Sequence, residues 1–164
     1  MYANPIRALR AVGIAVSLAG LTACASGTTT VTMPVQNAAK VKTVNVVAGQ
    51  HTVEVDPNQV AAFDAQLRKK LYHSNVFSEG NELTLRYRYI QFNPGSQAMR
   101  YFVGMGVGKG SQTIEVTFVS PEGRELGKIN VGGEISGGMF GGALKEATEK
   151  AADEAAKYAV SQFW

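Results

Sequence analysis

Glu82-Leu83-Thr84-Leu85-Arg86-Tyr87-Arg88-Tyr89-Ile90-Gln91-Phe92 alternates apolar and polar side chains over most of its length. Successive strand residues point to opposite faces, so Leu83, Leu85, Tyr87 and Tyr89 share one face and Thr84, Arg86 and Arg88 the other. A strand with one apolar and one charged face belongs to a sheet covered on one side only. Asn93-Pro94-Gly95 stops it.

The flanking sequence supplies the cover. Upstream, Asp56-Pro57-Asn58-Gln59 is a helix start. Asp56 offers a carboxylate to free backbone N–H groups, Pro57 suits the first helical position, and Gln59 stands where a capping box places it. Val60, Phe63, Leu67 and Leu71 follow on one face, with Arg68, Lys69 and Lys70 mostly off it, to an end near Ser74. Before that helix, Val41, Val44, Val46 and Val47 read as a buried strand. Downstream, Thr113–Val119 turns Ile114, Val116 and Phe118 inward. Pro121-Glu122-Gly123 makes a tight turn, and residues 124–135 return as the partner strand. Residues 96–103 read as a short helix capped by Ser96, with a strand start at Tyr101-Phe102-Val103 as the alternative. Residues 143–162 form the last helix, with Leu144, Ala147, Ala151, Ala155, Tyr158 and Ala159 on one face. Its alanines predict close approach to the sheet. The fold class is α+β, a mixed sheet with helices on one face, in the order β-α-β-(α)-β-β-α.

The only cysteine is Cys24. Leu21-Thr22-Ala23-Cys24 resembles the lipobox of bacterial lipoproteins, which implies cleavage between Ala23 and Cys24 and lipidation of Cys24. Arg7 and Arg10 precede an uncharged run, residues 11–21. That run has the length of a signal-peptide core and falls short of the roughly 20 residues that span a bilayer. Residues 1–23 thus read as a lipoprotein signal peptide, 24–39 as a lipidated N-terminus with a small, polar tether, and 40–164 as one domain. Fully extended, the tether's fifteen residues reach at most about 50 Å. Residue 25 is alanine, and the lipoprotein resemblance then implies the periplasmic face of the outer membrane, or in any case a bacterial cell membrane.

The precursor carries 16 Lys and Arg against 13 Asp and Glu. Loss of Arg7 and Arg10 leaves 14 against 13, a charge of +1. No basic stripe argues for nucleic acid.

Gly104-Met105-Gly106-Val107-Gly108-Lys109-Gly110 invites a nucleotide reading and fails on spacing. A P-loop needs glycine at Val103 and Ser or Thr at Gly110, and both it and the Rossmann turn open a helix. The second glycine loop, residues 132–142, includes Gly137, Gly138, Gly141 and Gly142 around Met139 and Phe140. Its apolar pair is a candidate contact for a protein partner or a membrane surface. Its backbone amides offer a weaker anion cradle. No catalytic set is expected. His51 and His73 lack metal-ligand spacing, and no serine sits in a nucleophile elbow. Glu115, Glu125 and Glu134 read as solvated groups or cross-strand partners of Arg86, Arg88 and Lys128. Tyr72, Tyr87, Tyr89 and Tyr101 are candidate pocket walls. No cofactor is implied.

Residues 100–109, a strand, the turn at 121–123, and residues 133–142 before a terminal helix together resemble a bacterial lipoprotein family, domain of unknown function 4410, over roughly residues 41–160. The family implies no activity and no catalytic residues. The order of elements is similar, more distantly, to the N-terminal domain of TolB, to lipoproteins that activate penicillin-binding proteins, and to the curli secretion lipoprotein. The resulting expectation is a lipid-anchored, non-catalytic interaction or assembly module with an envelope protein partner. The alternative is a small-ligand carrier or sensor using a tyrosine-lined groove or a glycine loop. The sequence leaves the oligomeric state open.

Overall fold

The computed structural model describes residues 27–36, 38–73, 76–95, 110–135 and 142–164. Eight elements follow in chain order: β1 (Thr28–Met33), β2 (Thr43–Ala48), α1 (Pro57–Tyr72), β3 (Ser78–Glu79), β4 (Leu83–Asn93), β5 (Gly110–Val119), β6 (Glu125–Ile135) and α2 (Gly142–Phe163). The strands form one sheet in the order β1-β6-β5-β4-β2-β3. It is mixed: β2 runs parallel to β3 and β4, while β4, β5, β6 and β1 pair antiparallel in succession.

The alternation in β4 decides which face is covered. Leu83, Leu85, Tyr87 and Tyr89 are buried, and their cross-strand neighbours Phe118, Val116 and Ile114 continue the apolar surface across β5. Both helices lie on it. Phe63 of α1 packs edge-on to Tyr87 with ring centroids 4.9 Å apart, and Phe118 meets Phe163 and Tyr158 of α2 at 5.3 and 5.5 Å. Ala151, Ala152, Ala155, Ala156 and Ala159 of α2 are buried, and their small side chains let the helix settle close to the sheet. The α+β class, the mixed sheet and the one-sided helices agree with the sequence reading.

Local chemistry sets the ends. Asp56 Oδ1 accepts from the Asn58 N–H at 2.8 Å, with Pro57 opening α1. Gln59 departs from the capping-box expectation. Its side chain donates to Thr148 Oγ1 and ties α1 to α2. Glu82 accepts the backbone N–H groups of Lys42 at 2.6 Å and Thr43 at 2.9 Å, joining the starts of β2 and β4. Those bonds, Lys42's first, hold its carboxyl below its ordinary value. In the β5–β6 turn Gly123 has φ +83, a conformation glycine alone adopts freely.

Three expected boundaries change. Thr28–Met33, read as tether, forms β1 against β6 in a register of Thr28 with Gly132 and Thr30 with Asn130. Its threonines are β-branched, and pairing with β6 gives their backbone a ladder that composition alone does not reveal. The docking continues past β1, since the Gln36 N–H donates to the Leu126 carbonyl at 3.3 Å. The folded unit therefore starts by residue 27 instead of residue 40. Strand β5 begins at Gly110 instead of Thr113, because Gly110 and Ser111 pair with Ile135 and Glu134. Gly142, read as loop, is the first residue of α2. The helix read over 96–103 lies outside the described residues.

Two predictions follow from this packing. Phe63→Ala removes the ring beneath both core tyrosines and should lower unfolding free energy by about 3–5 kcal/mol in urea titration. Asp153 links the helices, with Lys157 Nζ at 2.7 Å and Lys70 Nζ of α1 at 3.3 Å. The bond from Lys157 is the main cause holding its carboxyl below the ordinary value, and Lys70 adds to it. A carboxyl that holds its proton more weakly when folded stabilises above its unfolded pKa, and that contribution is lost as pH falls through the folded one. Thermal stability should therefore drop below about pH 4, and less so in Asp153→Asn.

Candidate functional site

The face of the sheet opposite the helices is the charged row of the alternation. Pairing places Val47, Arg86, Thr117 and Lys128 side by side across β2, β4, β5 and β6. The next row is Arg88, Glu115, Asn130 and Thr30, from β4 to β1. Arg88 Nε bonds Glu115 Oε1 at 2.8 Å across the strands. Lys128 Nζ lies 3.4 Å from Glu125 Oε2. Among the described residues Arg86 forms no ion pair. These five charged side chains, with Gly49 and Gln50, line a shallow cavity of about 180 Å³. Its lining holds three cations and two carboxylates.

The two edges of the sheet differ. At one, the two-residue β3 is outermost and covers the start of β2, and the outward carbonyls of Val44 and Val46 on β2 are already taken. Arg68 donates to the Val46 carbonyl, and Tyr72 Oη donates to the Val44 carbonyl at 2.9 Å, as does the Gly80 N–H at 3.1 Å. Arg68 is held there by Asp64 at 2.6 Å and Glu79 at 3.0 Å. At the other edge, Thr28-Thr29-Thr30-Val31-Thr32-Met33 carries no charge, and every residue but Met33 is exposed. Val31 is 45% exposed, one of three exposed large apolar residues among those described. Natural edges are usually blunted by lysine, proline, a bulge or a cover. β1 has a register shift between Val31 and Met33 and Pro34 just beyond, leaving Thr28–Val31 unguarded among the described residues.

The sequence-nominated residues divide. Glu115 pairs with Arg88 across strands as expected; Glu125 contacts Lys128 within one strand instead. Tyr87 and Tyr89 do not line a groove. They are buried in the core, their hydroxyls reaching the Val60 and Gln59 carbonyls, and burial pushes both phenols well above their ordinary pKa. Tyr72 spends its hydroxyl on the closed edge. His51 Nδ1 accepts from the Tyr89 N–H at 3.3 Å, and His73 caps α1. Among the described residues no cluster of three metal-ligating side chains occurs, and no helix is long and apolar enough to cross a membrane. Cys24, Ala23, Gly104, Gly106, Gly108, Tyr101, Gly137, Gly138, Met139, Phe140 and Gly141 lie outside the described residues. Sequence reasoning missed β1's open edge; its signal was the run of β-branched residues without charge.

Arg88→Met should cost about 1–2 kcal/mol in urea titration, because Glu115 is mostly buried and loses its partner. Arg86→Met should cost less than about 0.5 kcal/mol.

The chain belongs to the family described as Domain of unknown function (DUF4410), whose model matches residues 30–138. No curated protein matches it. Among solved structures, the PelC dodecamer from Paraburkholderia phytofirmans is similar at 11% identity, covering 77% of this chain and 96% of that one, with a TM-score of 0.50. A single-substitution variant of that dodecamer is similar at 12% identity, covering 83% of this chain and 98% of that one, with a TM-score of 0.49. At such identities the likeness is one of fold.

Proposed function

We propose that this member of the family is a lipid-anchored, non-catalytic assembly module of the bacterial envelope. Cys24 holds it on the periplasmic face of the outer membrane, and it joins a partner chain through the β1 edge. The uncharged, exposed edge of β1 carries the reading. An extended segment can add to such an edge by main-chain hydrogen bonds, and the Arg68-capped edge opposite offers no second template. The partner is an envelope protein or a second copy of this chain. Self-assembly draws support from the PelC dodecamer, a neighbour of the same fold. Met139 and Phe140, between β6 and α2 in the sequence, remain candidates for a further contact.

The alternative, a small-ligand carrier, draws support from the charged cavity around Arg86. About 180 Å³ falls below the roughly 300–1,000 Å³ of typical ligand pockets, which favours the first reading.

Cys24→Ser should leave the fold intact and release the protein from the membrane fraction. Retention of that variant would contradict lipid anchoring. A photo-crosslinking residue at Val31 should capture a protein in intact cells, whereas one at Glu79 on the closed edge should not. Val31→Lys should abolish co-purification of the captured protein with little change in melting temperature. Equal crosslinking from both edges would reject β1 as the contact.

A further inference from the structure

The docking of residues 27–36 on β6 shortens the link between lipid and fold. Gly27 is already seated against α2. A Cβ there would lie 2.8 Å from Glu154 Cγ and 3.3 Å from the Lys150 carbonyl oxygen. Thr28 Oγ1 donates to the Gly132 carbonyl at 2.8 Å, and Thr29 Oγ1 donates to Glu154 at 3.0 Å. Only Ala25 and Ser26 separate Cys24 from this contact. Three Cα steps span at most about 11 Å.

That length selects one end of the molecule. β1 runs antiparallel to β6, and Thr28 lies opposite Gly132, three residues before the end of β6 at Ile135. Traced backwards from Thr28, the chain heads for the end where β4 finishes at Asn93, β5 starts at Gly110, β6 finishes at Ile135 and α2 starts at Gly142. The opposite end carries the turn at Pro121-Glu122-Gly123. From Gly132 back to Glu125 is already about 23 Å of strand, twice what the link can cover.

We propose that the domain stands upright on the bilayer, with the Asn93–Gly95 end toward the lipid headgroups and the Pro121–Gly123 turn about 30 Å farther from them than that end. The partner of that end is the headgroup surface itself. The β1 edge then faces sideways along the membrane, open to a neighbour. This orientation rests on lipidation of Cys24.

The chain has no other cysteine, so a single thiol can be introduced and labelled on the lipidated protein. Pro94→Cys marks the apposed end, Pro121→Cys the far turn, and Pro34→Cys the far end of the β1 edge; all three prolines are exposed. Each labelled protein is reconstituted in phosphatidylethanolamine–phosphatidylglycerol vesicles containing headgroup-spin-labelled lipid. Quenching at residue 94 should exceed that at 34 and 121 several-fold. Inserting a Gly-Ser stretch of about twenty residues between Ser26 and Gly27, with a root-mean-square reach of about 25 Å, should erase the difference while vesicle binding persists. Bound protein with equal quenching at 94 and 34 lies on its β1 edge, and bound protein quenched most at 121 is inverted; either overturns the orientation. A wild-type protein that fails to bind vesicles would refute the lipid anchor instead, independently of the orientation.

Discussion

The packing of Phe63 against Tyr87 and Tyr89 fixes what every other part of this molecule can do. Those tyrosines stand on β4, between β5 and β2 in the sheet. With the rings buried under α1, the intervening Thr84, Arg86 and Arg88 must face the other way, because strand periodicity leaves no third choice. The polar face is thus a consequence of the core. Its Arg88–Glu115 pair and the cavity beside Arg86 are what a one-sided sheet presents to water or to a partner.

A one-sided sheet has two edges, and here they are treated in opposite ways. Arg68 is positioned by Asp64 and Glu79 to occupy a carbonyl of β2, and Tyr72 occupies another, so this edge has little left to offer. Among the described residues no comparable guard protects β1. The physics of sheets makes an uncharged, exposed edge a hazard for an isolated protein and a resource for one that assembles. The short link to Cys24 adds a restriction. A domain docked from Gly27 onward has no long leash, so on the proposed lipid anchor its partners would have to come to it in the plane of the membrane.

Much of this was legible in the sequence because it is local. The alternation in residues 82–92 gave β4 and its covered face. Asp56 and Pro57 marked the start of α1, and Pro121-Glu122-Gly123 marked the hairpin. What escaped the sequence is long-range. Thr28–Met33 is small and polar enough to read as a linker, and only the facing backbone of β6, about a hundred residues away, makes it a strand. Gln59 has the position of a capping residue, yet Thr148 on α2 offers its amide a better-placed acceptor. Tyr87 and Tyr89 could as well have lined a groove; α1 covering them decides otherwise. The closed edge was invisible for the same reason, since Arg68 and Val46 meet only in the fold. Of the candidate site, the cross-strand Arg88–Glu115 pair was readable from the pattern, whereas the asymmetry of the edges was not.

The central claim is that β1 belongs to the sheet and offers its outer edge. Residue-resolved amide hydrogen exchange on the purified chain tests it most directly. In an antiparallel edge strand, alternate amides face the neighbouring strand and alternate amides face outward. The account predicts alternating protection along Thr28–Val31, with every second amide slowed to a rate comparable with β6 and the others exchanging freely. Uniformly fast exchange through residues 27–36 would mean a tether and contradict the docked strand. Uniform protection in the isolated monomer would mean an edge already covered, and would contradict the open one.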